Sequence, residues 1–205
     1  MQLITISREF GSGGRELGKR LADILGCDYY DREIILSIAQ QKGMDEKYVE
    51  DALQGGGWKN IPLTFRRSLS TASVNGNTVE LLLAQKQVVE AIASRGRSSV
   101  IVGRNADILL AEHNPLRLFV CAEESAKLQR CLDRATAGES LTEKELLRQM
   151  RRIDKSRAKT RELLSASSWG QRDAYELTVN TTGWQIKELA PVIAAYAEKW
   201  FGRAQ

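Results

Sequence analysis

The stretch that most constrains this chain lies near its start: Leu3-Ile4-Thr5-Ile6-Ser7-Arg8-Glu9-Phe10-Gly11-Ser12-Gly13-Gly14-Arg15-Glu16-Leu17. Leu3, Ile4 and Ile6 are apolar and Thr5 is β-branched, which predicts a short buried strand. From Glu16 the interval changes, and Leu17, Leu21, Ile24 and Leu25 recur at three and four residues, as on one face of a helix. Gly11, Gly13 and Gly14 fall between the two elements. Without Cβ atoms, their backbone N–H groups can turn inward toward a ligand. The helix start adds unpaired N–H groups and a positive dipole end at the same place. Strand, glycine loop and helix N-terminus together suit a bound phosphate, with Gly11, Ser12, Gly13, Gly14, Arg15 and Glu16 as candidate contacts. The competing explanation is a turn whose glycines only let a helix pack on a sheet.

The loop resembles a P-loop, G-x-x-x-x-G-K-[ST], in which Lys meets the terminal phosphates and the hydroxyl meets Mg²⁺. Counted from the strand end, the leading glycine is Arg8 and the Lys position is Gly14. One extra loop residue would instead put Arg15 at the Lys position and Glu9 at the leading glycine. Glu16 stands near the place of the metal-binding hydroxyl, which makes it the metal candidate.

At 205 residues, a single α/β domain is the natural size, and 42% apolar with 27% charged residues fits a globular core. A net charge of +4 suits an anionic small ligand as well as weak nucleic-acid attraction. Cys27, Cys121 and Cys131 have no C-x-x-C spacing, which predicts reduced thiols in a cytoplasmic protein. His113, the only histidine, lies in a turn-like Glu112-His113-Asn114-Pro115, so a histidine metal site or a histidine-based triad is disfavoured. No signal peptide is evident, and no run approaches the ~20 apolar residues of a membrane span.

Further strands are predicted at 27–30, 99–102, 116–121 and 175–180, alternating with helices, which argues for a parallel sheet with right-handed crossovers. Asp31 is expected to cap the helix carrying Ile34, Ile35 and Ile38; Asp31 and Arg32 then sit at a strand's C-terminal end, where open α/β sheets bind ligands. Gly103-Arg104-Asn105 follows another strand in the same way. Residues 43–76 are the least regular; a short helix is expected from Met44 to about Leu53, then a break at Gly55-Gly56-Gly57, and Asn77 is expected to open a long helix. Thr142 and Glu145 match a capping box. In the helix they open, Leu146, Met150 and Ile153 mark an inward stripe that continues to Arg157, with Asp154 on the adjoining face. An inward arginine needs a partner, and a phosphate suits its planar guanidinium. A closing amphipathic helix is expected over Trp184 to Trp200.

Taken together, these motifs resemble the cytidylate kinase-like family, relatives of the nucleoside monophosphate kinases. The resemblance runs from Ile4 to about Asn180. It rests on Ile4-Thr5-Ile6-Ser7-Arg8 with Gly11-Ser12-Gly13-Gly14, on Tyr30-Asp31-Arg32-Glu33-Ile34-Ile35, and on Val100-Ile101-Val102-Gly103-Arg104-Asn105-Ala106-Asp107. Asp154-Lys155-Ser156-Arg157-Ala158, Trp169-Gly170, Tyr175-Glu176-Leu177 and Asn180-Thr181 complete it. It implies a three-layer P-loop kinase fold: a five-stranded parallel sheet, order 2-3-1-4-5, flanked by helices. It also implies a mobile acceptor-binding insert at about 31–76 and a basic lid at about 138–161 within one domain, 1–205. Acceptor contacts would fall on Asp31, Arg32, Arg104, Asn105, Asp154 and Arg157. In this chain Gly14 replaces the phosphate-binding Lys, Glu16 the Thr, Arg32 a small polar residue, and Asn105 an Asp.

The expected activity is ATP-dependent phosphoryl transfer, with Mg²⁺, to a small acceptor, first a pyrimidine nucleoside monophosphate such as CMP. Arg8, Arg15, Arg148, Arg152 and Arg157 are the candidate catalytic cations, replacing the absent Lys. The expected partners are the nucleotide donor and the acceptor, with a homodimer as candidate assembly and no membrane. One alternative is a regulatory nucleotide-binding protein that kept the cradle and lost the Lys. A lesser one is a nucleic-acid module using the basic lid.

Overall fold

A computed structural model describes residues 1–47, 49, 71–134 and 142–203, with side chains excluded over 71–78. Five parallel strands form one sheet: β1 Leu3–Arg8, β2 Asp28–Tyr30, β3 Ser99–Val102, β4 Leu116–Cys121 and β5 Leu177–Asn180. Their order is β2-β3-β1-β4-β5, as the resemblance implied. Register is set by pairs such as Ile4↔Val100 and Ile4↔Leu116, so β1 is central.

Successive residues of a strand face opposite sides of the sheet. Leu3 and Ile101 enter the core formed with α2 (Glu33–Lys42) and α3 (Thr71–Ser94). Ile4, Ile6, Val100 and Val102 enter the other, under α1 (Gly14–Leu25) and α7 (Ile186–Gly202). This is why the inner strands β1, β3 and β4 are mostly apolar and buried on both faces, whereas the edge strands β2 and β5 are only partly buried. Each fully buried Leu or Ile contributes roughly 1.5–3 kcal/mol. Gly18 lets α1 close on the sheet, because a Cβ there would lie 2.6 Å from Val102. Further helices among the described residues are α4 (Ala106–Leu109), α5 (Glu124–Arg134) and α6 (Glu143–Leu164).

The capping box of α6 forms: Thr142 Oγ1 accepts from the Glu145 N–H at 3.3 Å, and Glu145 Oε2 accepts from the Thr142 N–H at 2.9 Å. Three expected boundaries move. Arg32, not Asp31, is the N-cap of α2, because the Asp31 carboxylate turns to Arg8 and Arg15 instead. Helix α3 begins at Thr71 rather than Asn77, running through Gly76. The last helix begins at Ile186, because Trp184 closes a turn on the Thr181 carbonyl. The expected helix after Met44 is seen at its start, where residues 46, 47 and 49 are helical and the Val49 N–H donates to the Asp45 carbonyl at 3.1 Å. The rest of it, the triple glycine and much of the 31–76 insert fall outside the described residues, as do lid residues 138–141. Among the described residues no helix is long and apolar enough to cross a membrane.

Candidate functional site

The C-terminal ends of β1 and β3 lie side by side and open into a cleft. Arg8 ends β1, and the Gly103 N–H continues the ladder by donating to the Ile6 carbonyl at 2.8 Å. The next turn is strained: Gly103, Arg104 and Asn105 have φ of 75°, 60° and 51°. Left-handed backbone costs a residue with a Cβ roughly 1–2 kcal/mol. Gln85 of α3 helps hold it, donating from Nε2 to the Arg104 carbonyl at 2.8 Å. Strain of this kind concentrates where a site must be held in one shape.

The cleft is lined by Ser7 and Arg8 from β1, Gly103 to Asn105 from the turn, and Gln85 from α3. Arg157 and Thr160 of α6 and Trp169 supply the opposite wall. Arg157 donates to the Arg8 carbonyl at 2.9 Å and pairs with Asp154 at 3.1 Å. Arg8 lies 3.5 Å from Asp31, and both side chains are largely buried. Burial holds the Arg8 guanidinium well below its ordinary pKa, with Arg157, Arg104 and Arg15 adding repulsion and Asp31 opposing it. Burial also lowers the Arg157 pKa; Asp154 offsets this, while Arg104 and Arg15 deepen it. Cations crowded this way are relieved by an anion placed among them.

The glycine loop adjoins the cleft. Gly11 and Gly13 take φ of 77° and 83°, and Gly14 is the first residue of α1. The first helical bond runs from the Leu17 N–H to the Gly13 carbonyl at 2.9 Å, so the N–H groups of Gly14, Arg15 and Glu16 precede the ladder and are free to meet an anion. Glycines serve packing here as well: a Cβ on Gly13 would lie 2.5 Å from Ile186, and one on Gly14 would lie 2.6 Å from the Arg8 Cβ. Ser12 is fully buried, and its hydroxyl donates to the Glu9 carbonyl at 2.8 Å. Gly13, in left-handed backbone, is the N-cap of α1 and closes the turn before Gly14.

Other expected site residues point elsewhere. Arg15 is mostly exposed and pairs with Asp31. Arg32 is turned to Glu46 at 2.5 Å. Arg148 and Arg152 are exposed on the N-terminal half of α6. The Glu16 carboxylate accepts from Arg20 at 2.9 Å and from Arg134, so it does not fit the metal role expected of it. Among the described residues no three His, Cys, Asp or Glu side chains gather as a metal cluster. Asp154 acts on the loop, accepting from the Phe10 N–H at 2.7 Å. Lys127 of α5 sits beside it, 3.9 Å from Asp154 and 2.9 Å from Glu9.

Two participants escaped the sequence reading. Lys127 shows no signal in sequence, since Glu9 lies far away along the chain. Arg161 was legible in principle: it continues the stripe of Leu146, Met150 and Arg157 by one more turn, and it is the charged residue buried deepest in α6.

The structure is similar to a protein of Eubacterium ventriosum, with a TM-score of 0.69 and 22% identity over 97% of this chain and 99% of that one. It is similar to the shikimate kinase of Bacteroides thetaiotaomicron, with a TM-score of 0.56 and 14% identity over 96% and 98% of the two chains. A sugar kinase from Janibacter gives a TM-score of 0.53 and 13% identity over 97% and 95%. At these identities the likeness is one of fold, that of P-loop kinases. No curated protein matches the chain. With residues 3–183 matched, the chain belongs to the cytidylate kinase-like family.

Proposed function

We propose that this protein transfers the terminal phosphoryl group of ATP to a small anionic acceptor, with a pyrimidine nucleoside monophosphate such as CMP as first candidate. The observation that carries the reading is the convergence of Arg8, Arg104 and Arg157 on one cleft beside a glycine loop at a helix start. The donor's phosphates would lie on the N–H groups of Gly14, Arg15 and Glu16, and the acceptor's phosphate among the cleft arginines. Trp169 offers a flat apolar face to the rest of the acceptor. Mg²⁺ would arrive on the donor's phosphates, where it supplies positive charge; among the described residues no carboxylate, histidine or cysteine cluster gathers for it.

In this arrangement an acceptor phosphate oxygen attacks the γ-phosphorus, the bond to the β–γ bridging oxygen breaks, and ADP leaves. The attacking oxygen is already ionised, so no general base is required. What the chain supplies is alignment and positive charge. Arg8 sits between loop and cleft, where charge on the migrating group develops.

A second reading rests on Gly14. A side chain there has no room beside Arg8, so the cation of an ordinary P-loop is missing, and a protein that binds nucleotide without turning it over remains a distinct reading. Coupled ADP-release measurements with ATP, Mg²⁺ and each nucleoside monophosphate separate the two. Turnover with one acceptor, lost in Arg8→Ala, supports the kinase. Thermal stabilisation by nucleotides without any turnover supports the second reading.

A further inference from the structure

We infer that Arg161 and Asp107 form a positioning pair that holds the two walls of the acceptor cleft in register. The inference rests on the acceptor reading of that cleft. Both side chains are almost completely inaccessible, at 3% and 2% exposure, and they are ion-paired with each other. Arg161 also donates from Nε to the Ser167 carbonyl at 3.2 Å and from Nη2 to the Ser167 hydroxyl at 3.0 Å. Its guanidinium lies 5.1 Å from the centre of the Tyr175 ring. Asp107 also faces the Ser7 hydroxyl, 3.5 Å away.

Ser7 lines the cleft; Asp107, Arg161 and Ser167 do not, yet each lies just behind a residue that does. Asp107 follows the strained Gly103-Arg104-Asn105 turn by two residues. Arg161 follows Arg157 by four, one turn of α6. Ser167 precedes Trp169 by two, and Ser7 precedes Arg8. The pair therefore joins the β1 end, the β3 turn, α6 and the Trp169 segment at one buried point. Trp169 is braced from its other side by Phe119, at 5.2 Å between ring centres and edge to face.

A buried ion pair is a poor device for stability, since apolar residues of similar volume often serve as well or better. It is a good device for fixing direction, because guanidinium and carboxylate meet in few geometries. The replacement Asp107→Leu with Arg161→Met tests this distinction. It removes both charges together, so neither is left unpaired. Asp107→Asn, which keeps the shape, is the companion variant.

Thermal unfolding of the double variant should match the wild type, while the acceptor KM rises roughly 10–100-fold and the ATP KM stays unchanged. Asp107→Asn leaves the buried Arg161 charge without its partner, so it should lower the unfolding temperature as well as raise the acceptor KM. Wild-type acceptor KM in a double variant of wild-type stability would overturn the inference. If the wild type turns over no acceptor at all, the kinase reading fails separately. The pair is then judged by hydrogen exchange. Faster exchange at 103–107 and 157–161, with β1 and β4 unchanged, supports positioning; unchanged exchange there refutes it.

Discussion

The Arg8 guanidinium occupies the space in which a side chain at Gly103 would begin: a Cβ there would fall 1.6 Å from Arg8 Nη1. The glycine is thus a seat for the arginine, and its φ of 75° adds a second reason for it.

Gly103→Ala should lower stability by roughly 1–2 kcal/mol through its left-handed backbone. It should also expel Arg8 and raise the acceptor KM roughly 10²-fold. The two substitutions share one effect, so Gly103→Ala should add little to the KM of Arg8→Ala. Kinetics of the singles and the double check this; additive effects would mean that Gly103 acts without Arg8.

Arg157→Ala should reduce turnover roughly 10²-fold, the scale of losing a charged donor near the transferred group. It should also lower stability by about 1–3 kcal/mol, because Arg157 binds the Arg8 carbonyl and Asp154 within the protein itself. Steady-state kinetics and urea unfolding measure the two separately. An active, fully stable variant would remove Arg157 from the site.

Arg8 and Arg15 share Asp31 but not surroundings: the Arg8 side chain is 12% exposed and that of Arg15 65%. Solvent screens the second. Arg8→Ala should therefore reduce kcat about 10²–10³-fold, and Arg15→Ala less than about tenfold. Equal losses would place Arg15 on the donor phosphates.

Burial raises the Asp154 pKa above its ordinary 3.8, against the Phe10 hydrogen bond and the charges of Arg157 and Lys127. The folded protein then keeps a proton that the unfolded chain releases. The associated stability is complete below the ordinary pKa and is lost as pH rises through the raised one. Asp154→Asn abolishes this titration. In urea unfolding from about pH 4 upward, wild-type stability should decline relative to the variant's; parallel curves would contradict the raised pKa.

The sheet was legible because its strands are buried on both faces, so Leu3 to Ile6, Ser99 to Val102 and Leu116 to Cys121 read as apolar runs between turns. Arg8, Arg104 and Arg157 were legible as cations at strand ends or on an inward stripe, positions where charge demands a partner. Asp31 was misread as a helix cap because its actual partners, Arg8 and Arg15, lie on another element. A cap needs only local sequence to be recognised, whereas an ion pair between β2's exit and the glycine loop needs the sheet to be folded. The pairing of Asp107 with Arg161, unlike Arg161's place on the stripe, escaped for the same reason: the two are 54 residues apart and meet only once α6 has docked. Residues 71–76 look like a broken segment, yet Gly76 lies inside α3, where helix on either side overrides its low propensity.

Helix α6 cannot leave the glycine loop without breaking the bond from the Phe10 N–H to Asp154. Phe10's amide proton is consequently a reporter of that contact. It exchanges with deuterium when the bond opens and water enters. Its exchange rate, measured with and without ATP, counts those openings directly. On the kinase reading, that count set beside kcat tells whether turnover waits on bond-making or on the separation of helix and loop.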